Sequence, residues 1–250
     1  MLTTVLVLAI ASASQAPARD ASALTFSAPS QVTQLKIKGE PIQLAWSDDG
    51  TQLYVQTGER TRLGTMGNAR HYVLQIDGAK TKSVDAPPTW ASEYYTWKSN
   101  KWAPGDHSLM IGIEDQQKRN TVTATPMGGD LARGGTSSAG TSSDEAINVA
   151  MNSQMQHIIT LRLKGEQVGK YIDMQFIPGY TFGWAPESAG AMIAYVNDDD
   201  RLSVMDGQGH KKALDGTKHV MVPAWSPDGS KIAYLEKDGK KYNLFVVDVK

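Results

Sequence analysis

The sequence predicts an all-β protein made of repeated antiparallel sheets packed face to face, and three observations lead there. A Trp, a polar turn and a strand with an inward Tyr recur: "IQLAWSDDGTQLYVQT" (42–57), "YTFGWAPESAGAMIAYVN" (180–197) and "MVPAWSPDGSKIAYLEK" (221–237). Trp184 and Trp225 stand 41 residues apart, close to the length of one four-stranded unit of a ring-shaped repeat fold. The strands after each turn are apolar on both faces, Ile232 and Tyr234 pointing one way, Ala233 and Leu235 the other. A sheet covering a single core alternates apolar with polar, so apolar residues on both faces require packing on both sides. That is the position of a β-propeller blade between two neighbours.

The elements follow in chain order. The apolar run "LTTVLVLAI" (2–10) and the small residues after it resemble the hydrophobic and cleavage regions of a secretory signal, expected at 1–16, although no Lys or Arg precedes the run. A single β-propeller domain is then expected over 24–250. "VTQLKIK" (32–38) alternates like a strand. In the first repeat, Ser47, Asp48, Asp49 and Gly50 form a tight turn. In the last, Ser226, Pro227, Asp228 and Gly229 do so, with Pro presetting φ, Asp suiting the next position and Gly accepting the left-handed conformation. The version at 187–190 is longer and looser. A third strand follows each hairpin: "HYVLQIDGAK" (71–80), "HIITLRLKGEQ" (157–167), "RLSVMDGQGHK" (201–211) and "NLFVVDVK" (243–250). The first three continue into short outer strands, "TKSVDA" (81–86), "VGKYID" (168–173) and "KKALDG" (211–216). The fourth does not. A blade edge without an outer strand needs a partner, so the strand at 32–38 is expected to pair with "NLFVVDV" and seal the ring. From 127 to 144, eleven of eighteen residues are Gly, Ser or Thr. Such a stretch buries too little surface to offset its ordering entropy and is expected to be a flexible inserted loop. With it set aside, four blades fit. A five-blade alternative places a degenerate blade around "EAINVAMNSQMQHIITL" (145–161).

"PAWSPDGSKIAYLEKDGKKYNLFVVDVK" (223–250) resembles the Pro-Asp relatives of the WD repeat found in TolB-like propellers. The last repeat matches well, the first moderately and the third loosely. A further unit, "YYTWKSNKWAPGDHSLMIGIEDQQ" (94–117), matches weakly, with Trp97 or Trp102 at the Trp position. The resemblance implies blade architecture and protein contact in the periplasm. It implies no specific activity, because one fold hosts many functions.

Composition removes several function classes. The 250 residues carry 25 basic and 26 acidic side chains, so no global field favours nucleic acid or an anionic membrane. The absence of Cys excludes disulfides, thiolate metal sites and a cysteine nucleophile. No apolar run reaches the about 20 residues of a membrane span. There is no Gly-x-Ser-x-Gly elbow. His71, His107, His157, His210 and His219 show no metal-ligand spacing, and His71 and His157 open equivalent third strands, where blade packing is the expected role. "NDDD" (197–200) reads as a solvated hairpin tip rather than a calcium loop, and "KDGKKYN" (237–243) as another hairpin tip, too small a basic patch for nucleic acid. No cofactor and no metal is expected.

The candidate binding residues lie in "PPTWASEYYTWKSNKW" (87–102): Trp90, Tyr94, Tyr95, Trp97 and Trp102. Clustered aromatics bind sugars, peptides or proteins when exposed, and pack between blades when buried. The expected function is therefore that of an exported, monomeric, non-enzymatic β-propeller in the periplasm or secreted, binding a protein or peptide at its face as a scaffold in the cell envelope. The alternative is a hydrolase or lyase with its site at the propeller mouth.

Overall fold

A computed structural model describes residues 19–60, 66–92, 112–115, 120–122, 147–151, 157–172, 175–176 and 181–250. The expected leader at 1–16, the 127–144 stretch, His107, and the aromatics Tyr94, Tyr95, Trp97 and Trp102 lie outside the described residues.

The described chain is built of strands in four sheets. The first sheet holds β2 (Glu40–Trp46), β3 (Gln52–Arg60), β4 (Met66–Gln75) and β5 (Lys80–Val84) in that order. The third repeats the pattern with β12 (Phe182–Trp184), β13 (Met192–Val196), β14 (Leu202–Asp206) and β15 (Lys211–Ala213). The fourth contains β16 (Val220–Trp225), β17 (Lys231–Asp238) and β18 (Lys241–Asp248), and its outer position is taken by β1 (Ser30–Leu35). All pairings in these three sheets are antiparallel. The second sheet is larger, in the order β11 (Gln175–Phe176), β10 (Glu166–Ile172), β9 (His157–Leu163), β8 (Ile147–Met151), β6 (Gly112–Asp115) and β7 (Asn120–Val122). Its β6–β8 contact is parallel, at Asp115 opposite Val149. The segment at 145–161, which the five-blade alternative treats as a unit of its own, contributes β8 and β9 to this second sheet.

The hairpin spelling has a direct structural cause. Ser226 Oγ donates to Asp228 Oδ1 at 2.6 Å and accepts from the Lys231 N–H at 2.9 Å, while Asp228 Oδ1 accepts from the Ser230 N–H at 3.0 Å. In the first repeat, Thr51 N–H donates to Asp49 Oδ1 at 3.0 Å and Gln52 N–H to Ser47 Oγ at 2.9 Å. The Ser and Asp thus satisfy the turn's orphan amides. Gly50 and Gly229 close the two turns at φ of 68° and 71°, which a side chain disfavours. In the third sheet a 3-10 turn at Glu187–Ala189 replaces this network.

The three Trp and three Tyr of the repeats are all at most 2% exposed. Each such burial is worth roughly 1.5–3 kcal/mol relative to exposure. The fourth sheet is covered on both faces. Ile232 and Tyr234 join Trp225 against Ala194, Val196 and Val204 of the third sheet. Ala233 and Leu235 join Leu244 against Leu44, Trp46 and Val55 of the first. Trp46 Nε1 donates to the Ala224 carbonyl at 3.0 Å, tying the first sheet to the fourth. In space the first sheet therefore neighbours the fourth, and the fourth neighbours the third.

The expected pairing of the N-terminal strand is present, but over Ser30–Leu35 rather than 32–38. Gln31 stands opposite Phe245, and Leu35 opposite Tyr242. Residues 36–38 instead lead into the first sheet, where the Lys38 N–H donates to Tyr72 Oη at 3.0 Å. Upstream of β1 the chain forms a strap. Ala21 N–H donates to buried Asp206 Oδ2 at 3.0 Å, and Thr25 and Lys250 exchange backbone hydrogen bonds of 2.9 Å. Ala21 and Leu24 are part of the core shared by the third and fourth sheets.

Candidate functional site

Strand ends and hairpin tips of the first, third and fourth sheets meet in a charged cavity of about 390 Å³. Val220 and Met221, both buried, line it at the start of β16. Glu40 and Arg60, the first residue of β2 and the last of β3, line it with Lys237 and Gly239 from the β17–β18 hairpin. Asp200, at the β13–β14 tip, and His219 complete the lining.

Backbone bonds stitch this rim together. The Asn197 side chain organises its tip, Oδ1 accepting from the Asp199 and Arg201 N–H groups at 3.0 Å each. The Asp200 carbonyl accepts from the Val220 N–H at 2.9 Å, and the His219 carbonyl accepts from the Lys237 N–H at 3.1 Å. Side chains complete the link. Glu40 is shared by two cations, Arg60 at 3.2 Å on Oε2 and Lys237 at 3.4 Å on Oε1. His219 Nδ1 lies 3.6 Å from Asp200 Oδ2.

The rim also holds unusual backbone. Among the described residues, six non-glycine residues have positive φ, and three of them are Asp200 (58°), His219 (47°) and Val222 (46°), at or beside this cavity. For a β-branched residue such as Val222 this region is a true outlier. Each such residue costs on the order of 1–3 kcal/mol and persists only where its surroundings fix it. Here they do. β16 bulges between Met221 and Ala224, and the freed Val222 N–H donates to Thr181 Oγ1 at 3.1 Å. Beneath the rim, burial pushes the carboxyl of Glu236 above its usual range, opposed by the Lys218 N–H it accepts at 3.2 Å and by the charges of Lys218 and His219.

Of the sequence-predicted binding residues, the structure places Trp90. It is half-buried in a helical turn at Thr89–Ser92 and meets Tyr54 edge-to-face at 6.3 Å. Tyr54 Oη hydrogen-bonds His71 Nδ1 at 2.7 Å. This group covers the face of the first sheet turned away from the fourth, apart from the cavity. His71 lies within β4, which begins at Met66, and so does not open its strand as the sequence reading had it, whereas His157 does open β9.

A second cluster, Asp20, Asp206 and His210, has ligand atoms within 4.8 Å of one another. Its oxygens are already engaged: Asp206 Oδ1 accepts from the Gln208 and His210 N–H groups, and Oδ2 from the Ala21 N–H and His210 Nδ1. It anchors the strap.

The rim residues Glu40, Arg60, Asp200, His219 and Lys237 escaped the sequence reading because each looks ordinary alone. A signal was present: counted from the repeat Trp, Arg60 and Gly239 fall at the same offset and Asp200 two residues later. Equivalent offsets put hairpin tips on one side of the molecule.

No protein-family model matches the chain. The Tol-Pal system protein TolB of Alkalilimnicola ehrlichii is 28% identical over 74 residues, 26% of this chain and 17% of that protein. The solved TolB of Acinetobacter baumannii overlays with a TM-score of 0.25 at 13% identity, covering 85% of this chain and 44% of that one. A β-propeller domain of Cps50 (Swd1) from Myceliophteria thermophila gives 0.28 at 10% identity, covering 82% and 83%. An oligogalacturonate lyase of Vibrio parahaemolyticus gives 0.27 at 10%, covering 82% and 64%. The chain thus spans less than half the length of the TolB proteins it resembles. The overlays are poor at these scores, so the architecture rests on its own sheets and register. The 74-residue match agrees with the TolB-like resemblance read from the repeats.

Proposed function

We propose that this protein is an exported, four-bladed β-propeller of the cell envelope that binds a protein or peptide segment through the charged rim of its loop face. One observation carries the reading: tips from three sheets meet in one preformed cavity, the third joined to the fourth by a backbone hydrogen bond and the first to the fourth by the Glu40–Lys237 ion pair, with strained residues at its edge. A preorganised surface loses less entropy on binding than a loose one. The four sheets serve as blades, with β1 beside β18 as the closing strand. The apolar run at 2–10 and the TolB-like match support the compartment. The aromatics Trp90, Tyr94, Tyr95, Trp97 and Trp102 are proposed as an accessory contact, supported by the partial exposure of Trp90. Capture of envelope polypeptides by the full chain tests the reading. A species held by the wild type and by Lys82→Glu, on β5, should be lost from the double variant Arg60→Glu/Lys237→Glu. If the double variant, still folded, captures the same species, the rim is not the binding surface.

A further inference from the structure

The rim has an imbalance that names a ligand chemistry. Arg60 and Lys237 both spend their charge on one carboxylate, that of Glu40, which is 27% exposed. Neither contact is short, at 3.2 and 3.4 Å, against the roughly 2.7–2.9 Å of a tight charge-assisted bond. Two cations around one internal acid leave unused donors: Arg presents five N–H groups in a planar fork and Lys three. The apolar residues Val220 and Met221 line the same cavity. Asp200, also in the lining and 3.6 Å from His219 Nδ1, is an acid that disfavours an anion beside it. The Asp200, His219 and Lys237 part of the rim is fixed before any ligand arrives by the bonds from Val220 to Asp200 and from Lys237 to His219.

We infer that the cavity takes a carboxylate carried on an apolar stem, the acidic end or acidic side chain of a peptide, which enters between Arg60 and Lys237 alongside or in place of Glu40. The inference rests on the peptide-binding reading above and deepens it. The Arg60 fork takes the carboxylate oxygens, Lys237 supplies a point charge, and the stem covers Val220 and Met221. Glu40 holds the two cations in place in the empty state and competes with the ligand in the filled one.

The competition makes the test specific. The full chain is titrated with N-acetyl-Gly-Leu as the free acid, as its C-terminal amide, and with N-acetyl-Glu-amide, reading the backbone amide resonances of Arg60, Val220, Met221, Lys237 and Gly239. The free acid should shift these resonances at least tenfold more strongly per unit concentration than the amide. A response to the acetyl-Glu amide as well assigns side-chain acids, and its absence assigns chain ends; both support a carboxylate site. Lys237→Gln should weaken the acid severalfold. Glu40→Gln should strengthen it severalfold, an outcome that mere damage to the fold does not produce, and the melting temperature of each variant confirms that it is folded. Equal responses to acid and amide overturn the carboxylate assignment while leaving peptide binding standing. Binding that is unchanged or weakened in folded Glu40→Gln overturns the proposed competition.

Discussion

Asp228 shows how much a single exposed side chain does in this chain. Its Oδ1 takes the Ser226 hydroxyl and the Ser230 N–H, and its Oδ2 takes the Ser230 hydroxyl at 2.7 Å. These donors, that of Ser226 foremost, hold its carboxyl below the ordinary range. The sign follows. A folded-state value below the unfolded one stabilises the fold when the group is ionised, so the contribution is full at neutral pH and fades as pH falls to and below about 4. Asp228→Ala should cost about 1 kcal/mol near pH 7, the usual net worth of a small hydrogen-bond set at a surface. Melting temperatures from pH 7 down to pH 3 should show wild type and variant converging at the acid end. A gap that stays constant across that range would mean the Asp acts through shape, not charge.

Between elements, strands β12 and β16 approach closely. A Cβ built on Gly183 would lie 2.7 Å from the Pro223 carbonyl oxygen and 3.3 Å from Ala224 Cα. Both obstacles are backbone, so neither can swing aside. Gly183→Ala should therefore force the two sheets apart and cost on the order of 1–3 kcal/mol, as overpacked cores do. The check is urea denaturation: the midpoint should fall with little change in slope, and an unchanged midpoint would show that the strands are free to separate. At this scale the sequence was legible in part. The Trp–turn–Tyr repeats located β2–β3, β12–β13 and β16–β17, because turn chemistry and two-faced apolar strands are local signals. The opposed directions of Ile232 and Ala233 followed from the two-residue period of a strand. What stayed hidden depends on contacts between repeats. Tyr54 and Tyr234 occupy matching positions, yet Tyr54 bonds His71 while the buried Tyr234 hydroxyl has no partner among the described residues and its ring stacks on Phe245 at 5.6 Å. The positive φ of Val222 arises from a bulge that Thr181, 41 residues away in sequence, makes tolerable. The rim was illegible for the same reason: Asp200 and Lys237 sit on separate hairpins, and only the packing of sheets brings them to one cavity.

For the whole molecule, the decisive joint is the one between the chain's N-terminal segment and the fourth sheet. β18 is flanked by β17 on one side and by β1 on the other, so its second edge is satisfied by residues more than 200 positions away in sequence. The strap reinforces this joint from outside, with Asp248 N–H donating to Ser27 Oγ at 2.9 Å and Ala21 fixed to Asp206. Such a long-range pairing is costly in chain entropy. Removing residues 1–38 should strip Leu35 and Leu24 from the two cores and leave the β18 edge open. An open edge with apolar neighbours pairs with other chains. The truncated protein should thus run as dimers and larger species in light scattering, with a lowered melting temperature. A synthetic peptide covering 19–38, added in excess, should restore a monomer by supplying the missing strand, and a peptide with Thr33→Pro should not, because proline cannot donate to the ladder. A truncated chain that stays monomeric and as stable as the parent would show that β1 lies on the sheet without holding it, and the first, third and fourth sheets would then be held together by the faces around Trp46 and Trp225.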